Sequence, residues 1–170
     1  MILPIRHLPD PVLRTPTKPI EQVTPEIRQL AKDMIQTMHA AGGVGLAANQ
    51  VGQSWQLFVA SPDGQRGQEL VVINPVILSR RGQLRLEEGC LSLPGMAAVV
   101  TRATAVEIRG LTLDGEERAL EGRELLARIF QHEIDHLRGH LFVDRLGWWS
   151  KRRLLTQYER QRQELSRVTV

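Results

Sequence analysis

Glu124-Leu125-Leu126-Ala127-Arg128-Ile129-Phe130-Gln131-His132-Glu133-Ile134-Asp135-His136-Leu137-Arg138-Gly139 reads as one helix, from about Glu124 to Arg138, stopped by Gly139. Residues four apart on a helix lie one turn above each other on the same face. His132 and His136 can therefore grip a single metal ion, and Glu133, one step round, can reach a water beside it. This H-E-x-x-H spacing is the pattern of a metal-dependent hydrolase. A solvated helix with two incidental histidines is the plainer alternative.

Two imidazoles leave a catalytic site one protein ligand short of the usual three. Upstream, Glu87-Glu88-Gly89-Cys90-Leu91-Ser92 offers a thiol. A lone cysteine is commonly a small buried apolar residue. Here Gly89 permits close backbone approach and Glu88 places a polar group alongside, so read by itself Cys90 fits either role. Set beside the helix, it is favoured as the third ligand. Gly43-Val44-Gly45-Leu46-Ala47-Ala48-Asn49-Gln50 combines glycines with small side chains, and Gln50 carries an amide able to polarise a carbonyl. The segment is not a phosphate loop, because it lacks the Lys-Ser/Thr pair. Its simplest reading is a helix-to-strand turn packed on the core.

The rest of the chain frames these clusters. Thr24-Pro25-Glu26 is a helix start, with a capping hydroxyl, proline in the first turn and an acid at the positive end of the dipole. Ile27, Leu30, Met34, Ile35 and Met38 form its apolar face, and Gly42-Gly43 ends it. Between about Trp55 and Gly122 short runs such as Leu57-Phe58-Val59, Leu70-Val71-Val72-Ile73, Val99-Val100, Val106-Glu107-Ile108 and Leu111-Thr112-Leu113 predict antiparallel strands, with Asp114-Gly115 as a hairpin turn. A last helix is expected over Ser150–Arg167, with Leu154, Leu155, Tyr158 and Leu165 along a thin apolar stripe and Trp148 and Trp149 packing against it. The fold class that follows is α+β: antiparallel sheets around a central metal-binding helix, with an N-terminal and a C-terminal helix. Residues 1–147 are expected to form the catalytic domain and 148–170 a basic helix packed on it or extending from it.

Composition narrows the function classes. The 170 residues are 42% hydrophobic and 24% charged, ordinary for a globular domain. No apolar run approaches the roughly 18 residues of a membrane span, and the first residues lack a secretory h-region. With one cysteine no intrachain disulfide can form. A cytosolic protein without membrane partners is expected. From Trp148 onward six Lys/Arg face two Asp/Glu, whereas the remainder is nearly balanced, so an acidic partner is expected for the tail alone.

The three clusters G-V-G-L-A-A-N-Q, E-G-C-L-S and H-E-I-D-H, in this order and at these intervals, resemble the signature motifs of peptide deformylase, as does Leu8-Pro9-Asp10-Pro11-Val12-Leu13-Arg14. The resemblance covers essentially the whole chain. It implies removal of the formyl group from N-formylmethionyl nascent polypeptides. It also implies Cys90, His132 and His136 as ligands of Fe(II), with zinc, nickel or cobalt able to substitute. Glu133 becomes the general base, and the Gln50 amide with the Leu91 backbone N–H becomes the oxyanion donors. Substrate backbone is implied to pair with Val44, Gly45 and Gly89. The first-residue pocket is implied to include Val44, Leu86, Leu125, Ile129 and His132. Arg128 departs from the apolar residue common there, and its stem is expected to line the pocket while its guanidinium reaches water. Ala97 replaces an arginine of some relatives, and Gly42 a frequent acidic residue. Arg102 is expected to pair with Glu88 or Asp135 and brace the ligand strand. Family members with such a basic C-terminal helix are similar in using it to dock near the ribosomal exit tunnel, so the resemblance implies a ribosome partner for this one. Two rivals differ in class: an H-E-x-x-H endopeptidase, and a non-catalytic relative that only binds nascent chains or ribosomes.

Overall fold

A computed structural model describes residues 1–168. Helix α1 spans Pro25–Ala40, capped by Thr24 Oγ1 on the Ile27 N–H, and lays Ile27, Ala31, Met34 and Met38 into the core. Strands β1 (Gly45–Ala47), β2 (Leu57–Ala60), β3 (Leu70–Arg81), β6 (Ala105–Leu111) and β7 (Glu117–Arg123) form a sheet in the order β1-β2-β3-β6-β7, every pair antiparallel. Strands β4 (Leu84–Gly89) and β5 (Ala97–Arg102) pair with each other as a second, two-stranded sheet. The hairpin expected at Asp114-Gly115 joins β6 to β7, with Leu111 opposite Glu117 and Gly115 at positive φ. Glu107, Arg109, Glu117, Arg118 and Arg123 remain outside the buried core, so β7 leaves almost no hydrophobic signature in the sequence.

Helix α2 (Glu124–Leu137) follows β7 without a loop and is buried from Ala127 through Leu137. Such a helix must be enclosed on all sides. One apolar cluster, with Phe58, Ile108, Phe130 and Ile134 fully or almost fully buried, joins it to the large sheet. Its polar residues are consequently locked in place, which is what a preorganised site requires. At its end Gly139 takes a φ of 78°, and a Cβ there would strike the Arg14 backbone.

Helix α3 (Trp148–Val168) anchors through Leu154 and Tyr158, which join Leu13, Leu93, Leu141 and Phe142 in a third cluster. Two expectations fail here. Leu165 is 61% exposed, and Trp148 and Trp149 are 59% and 78% exposed. The two indoles stack edge-to-face at 4.4 Å, with the Arg152 guanidinium over Trp148. For the tryptophans the reason is phase: the buried stripe runs through Leu154 and Tyr158, one turn apart, and the tryptophans lie off it, whereas Leu165 is in phase with the stripe but beyond the residues that cover it.

Asp144 ties α3 to the body through Arg14, Lys151 at 2.7 Å and the Leu141 N–H at 2.7 Å. Burial opposes its ionisation, but these donors outweigh it and lower its value. An acid with a lowered folded value stabilises above its unfolded pKa, and that contribution is lost as pH falls through the folded value. Asp144→Asn is therefore expected to cost about 1 kcal/mol at neutral pH and less at an acid pH below the ordinary Asp range, where the carboxylate begins to be protonated in the folded state too. Urea titrations of both proteins at the two pH values check this; an equal gap at both would refute it.

Candidate metal centre and substrate cleft

The i,i+4 spacing on α2 brings His132 Nε2 and His136 Nε2 to 3.1 Å, with their rings inclined at 62°. Cys90, just past β4, reaches in so that its Sγ lies 3.2 Å from His136 Nε2. The three donor atoms fall within 4.8 Å of one another. The predicted ligand set therefore converges, although Cys90 and His136 are 46 residues apart.

The surroundings fit a cation at that point. His132 Nδ1 lies 2.5 Å from Glu88 Oε1, which fixes the ring so that Nε2 faces inward. Burial disfavours charge on His132, yet the Cys90 sulfur and Glu88 outweigh it and raise its value well above the ordinary imidazole range. Burial and the neighbouring His132 push His136 well below that range. One sulfur and two facing ring nitrogens thus share a single small space, and a thiolate with two imidazoles is a donor set for divalent transition metals.

A bed of buried ion pairs holds these ligands. Arg102 donates to both oxygens of Glu88, at 3.2 and 2.7 Å, and also to Asp135, which Arg145 grips in turn at 3.0 Å. Burial opposes ionisation of Glu88, but the bonds from His132 and Arg102 hold its carboxyl well below the usual range. Arg102 was expected to take Glu88 or Asp135 and takes both. The direct Glu88–His132 bond was not foreseen, since no local pattern relates residues 44 positions apart. Glu88→Gln removes the charge that orients His132, and an expected outcome is metal affinity weaker by about 10–100-fold. Chelator competition measures it; unchanged affinity would show that Glu88 only packs.

Glu133 sits beside the ligands, 3% exposed, with Oε2 lacking any hydrogen-bond partner among the described residues. Burial, opposed by His132 and reinforced by Glu88, pushes its pKa up to about 7. Gly45 is required opposite it, because a Cβ would run into Glu133 Oε1 and Ile129 Cγ2. Gln50 is clamped: its Oε1 accepts the Ala47 N–H at 2.8 Å, while Nε2 donates to Ser92 Oγ at 3.1 Å and faces Cys90 Sγ at 3.5 Å. Sequence reasoning missed Ser92 as the residue that sets the direction of this amide, and Asn49, fully buried, whose Nδ2 holds the His136 carbonyl at 2.6 Å. Both stood inside quoted segments; only their partners were invisible.

These groups open onto a cleft of about 600 Å³ lined by Val44, Gly45, Gly89, Leu91, Leu125, Arg128, Ile129 and His132 together with Gln50, Cys90 and Glu133. Two expectations are corrected. The Arg128 guanidinium turns inward more than expected: the side chain is only 11% exposed and donates to Glu88 Oε2 at 2.9 Å, because a buried carboxylate attracts it. Leu86 falls outside the lining and is 47% exposed, and Arg128 reaches toward the carbonyls of Leu84 and Leu86 along that strand.

The chain matches the sequence profile described as Polypeptide deformylase over residues 2–152. This chain belongs to the polypeptide deformylase family. Its fold and sequence are similar to the crystal structure of a peptide deformylase from Thermus thermophilus, at 45% identity and TM-score 0.87, covering 98% of this chain and 97% of that one. The deformylase from Legionella pneumophila is 41% identical with TM-score 0.88, covering 95% and 98%. That from Synechococcus elongatus, solved in complex with actinonin, is 40% identical with TM-score 0.86, covering 91% and 86%. As a deformylase, this protein hydrolyses the N-formyl group of formylmethionyl nascent polypeptides and releases formate. The endopeptidase and non-catalytic readings give way to it. No helix among the described residues is long and apolar enough to cross a membrane.

Proposed function

We propose that Cys90, His132 and His136 hold Fe(II), and that Glu133, Gln50 and the Leu91 N–H carry out the deformylase reaction. The observation that carries this reading is the convergence of three donor atoms beside a buried carboxylate with an unpartnered oxygen. When bound, the ion supplies Lewis acidity, making water a stronger acid near neutrality and polarising the formyl oxygen. Glu133 Oε2 accepts a proton as water adds to the formyl carbon, then returns it to the departing amine nitrogen, so that formate and a free N-terminus leave. Gln50 Nε2 and the Leu91 N–H donate to the oxygen that gains charge. Leu91 N–H has no backbone acceptor among the described residues, which supports that role. Backbone at Val44, Gly45 and Gly89 pairs with the substrate main chain, so many sequences are accepted without being read. Val44, Leu125, Ile129 and Arg128 surround the first side chain.

Anaerobically purified protein assayed for formate release from formyl-Met-Ala, with metal analysis of the same sample, tests this. One iron per chain with formate released is expected; cleavage of an unblocked peptide instead would return the endopeptidase reading.

Exposed Trp148 and Trp149 beside Lys151, Arg152, Arg153 and Arg160 support a second assignment, α3 as a separate element that docks on ribosomal RNA or protein. Contacts of that kind weaken steeply with salt. Charge reversal of the exposed Arg152, Arg153 and Arg160 to Glu is expected to abolish salt-sensitive ribosome co-sedimentation while formate is still released.

A further inference from the structure

Arg128 is an unusual lining residue: a guanidinium nine-tenths covered, on the same face of α2 as His132 and one turn before it. A guanidinium carries five N–H groups. Its short bond is Nη1 to Glu88 Oε2 at 2.9 Å; the contacts to the carbonyls of Leu86 and Leu84 are both 3.5 Å, and Nε has no acceptor among the described residues. At least two donors thus lack a protein acceptor and remain available to a group in the cleft. Charge points the same way. Glu88 is shared between Arg102 and Arg128, and Asp135 between Arg102 and Arg145, so three guanidiniums face two carboxylates. Arg128 thus has no carboxylate to itself.

Resting on the reading of the cleft given under Proposed function, we propose that Arg128 determines first-residue specificity by donating to an oxygen at the thioether position, so that chains beginning with formyl-methionine sulfoxide are substrates. The aliphatic walls at Val44, Leu125 and Ile129 accept the methionine stem. The sulfoxide oxygen is a strong neutral acceptor, and oxidation makes it from methionine without added length. A carboxylate in the same place meets the Glu88 charge already on Arg128 Nη1 at 2.9 Å and is disfavoured.

The test compares kcat/KM for formyl-Met(O)-Ala, each sulfoxide epimer separately, with that for formyl-norleucyl-Ala, which has the same length and no acceptor. Wild type is expected to favour one epimer, and Arg128→Met to lower the Met(O)/norleucine ratio by about tenfold or more. Any damage transmitted through Glu88 to the metal ligands lowers both substrates together and cancels in the ratio. Should Arg128→Met be inactive, the ratio of dissociation constants for Met(O)-Ala and norleucyl-Ala, by calorimetry, serves in its place. A ratio unchanged within about twofold, or a wild type that rejects both epimers relative to norleucine, overturns the proposal. Formate release from formyl-Met-Ala is the control: with it intact, an unchanged ratio removes only the role of Arg128, whereas its absence removes the reading of the site itself.

Discussion

Glu133→Gln is expected to lower kcat by about 10²–10⁴-fold while leaving metal content unchanged. Glutamine keeps the size of the side chain and its place between Gly45 and Ile129, where there is no room for anything larger at position 45. What it lacks is a site that can take a proton. In the native protein Oε2 is buried and free of protein donors, so nothing competes with water for it. Because Glu133 points beside the ligands and is not one of the three converging donors, metal retention separates lost proton transfer from a damaged centre. A variant with full metal and a rate within about tenfold of wild type would remove Glu133 from the role proposed for it.

Gln50→Ala is expected to lower kcat by about 10²–10³-fold, or about 2.7–4 kcal/mol of transition-state stabilisation, with KM much less affected. The amide is held at both ends, by the Ala47 N–H and by Ser92 Oγ, so it needs no reorganisation as charge develops on the substrate oxygen. Truncation to alanine also frees the Ala47 N–H, and Gln50→Glu serves as the control. A carboxylate still accepts from Ala47 but donates nothing. Equal losses in the two variants assign the effect to the missing donor; near-normal turnover of Gln50→Glu would place it in the local fold instead.

Much of this architecture is legible in the residues because its signals are local. The helix over Pro25–Ala40 is announced by Thr24-Pro25 and by the apolar spacing of Ile27, Leu30, Met34, Ile35 and Met38, of which Ile27, Met34 and Met38 are buried. The β6–β7 hairpin is announced by Asp114-Gly115, whose glycine supplies the positive φ. Where a strand is exposed along most of its length, as in Glu117–Arg123, alternation carries no contrast and the element is read only as the far side of a turn. The tryptophans of α3 mislead for a different reason. Large aromatics usually go inside, but which side of a helix is inside depends on what packs there, and Leu154 and Tyr158 win that contest.

The amino-acid order alone determined that two imidazoles stack on one face of a helix with a carboxylate between them, because 3.6-residue periodicity is a property of the backbone and needs no partner. Tertiary structure decided everything that spans distance in the chain. It brought Cys90 Sγ to His136, placed Glu88 against His132 Nδ1, aimed the Gln50 amide by way of Ser92, and turned Arg128 inward. Those choices depend on which charges are buried together. A buried carboxylate attracts whatever donors the packing leaves within reach, and only the folded chain says which those are.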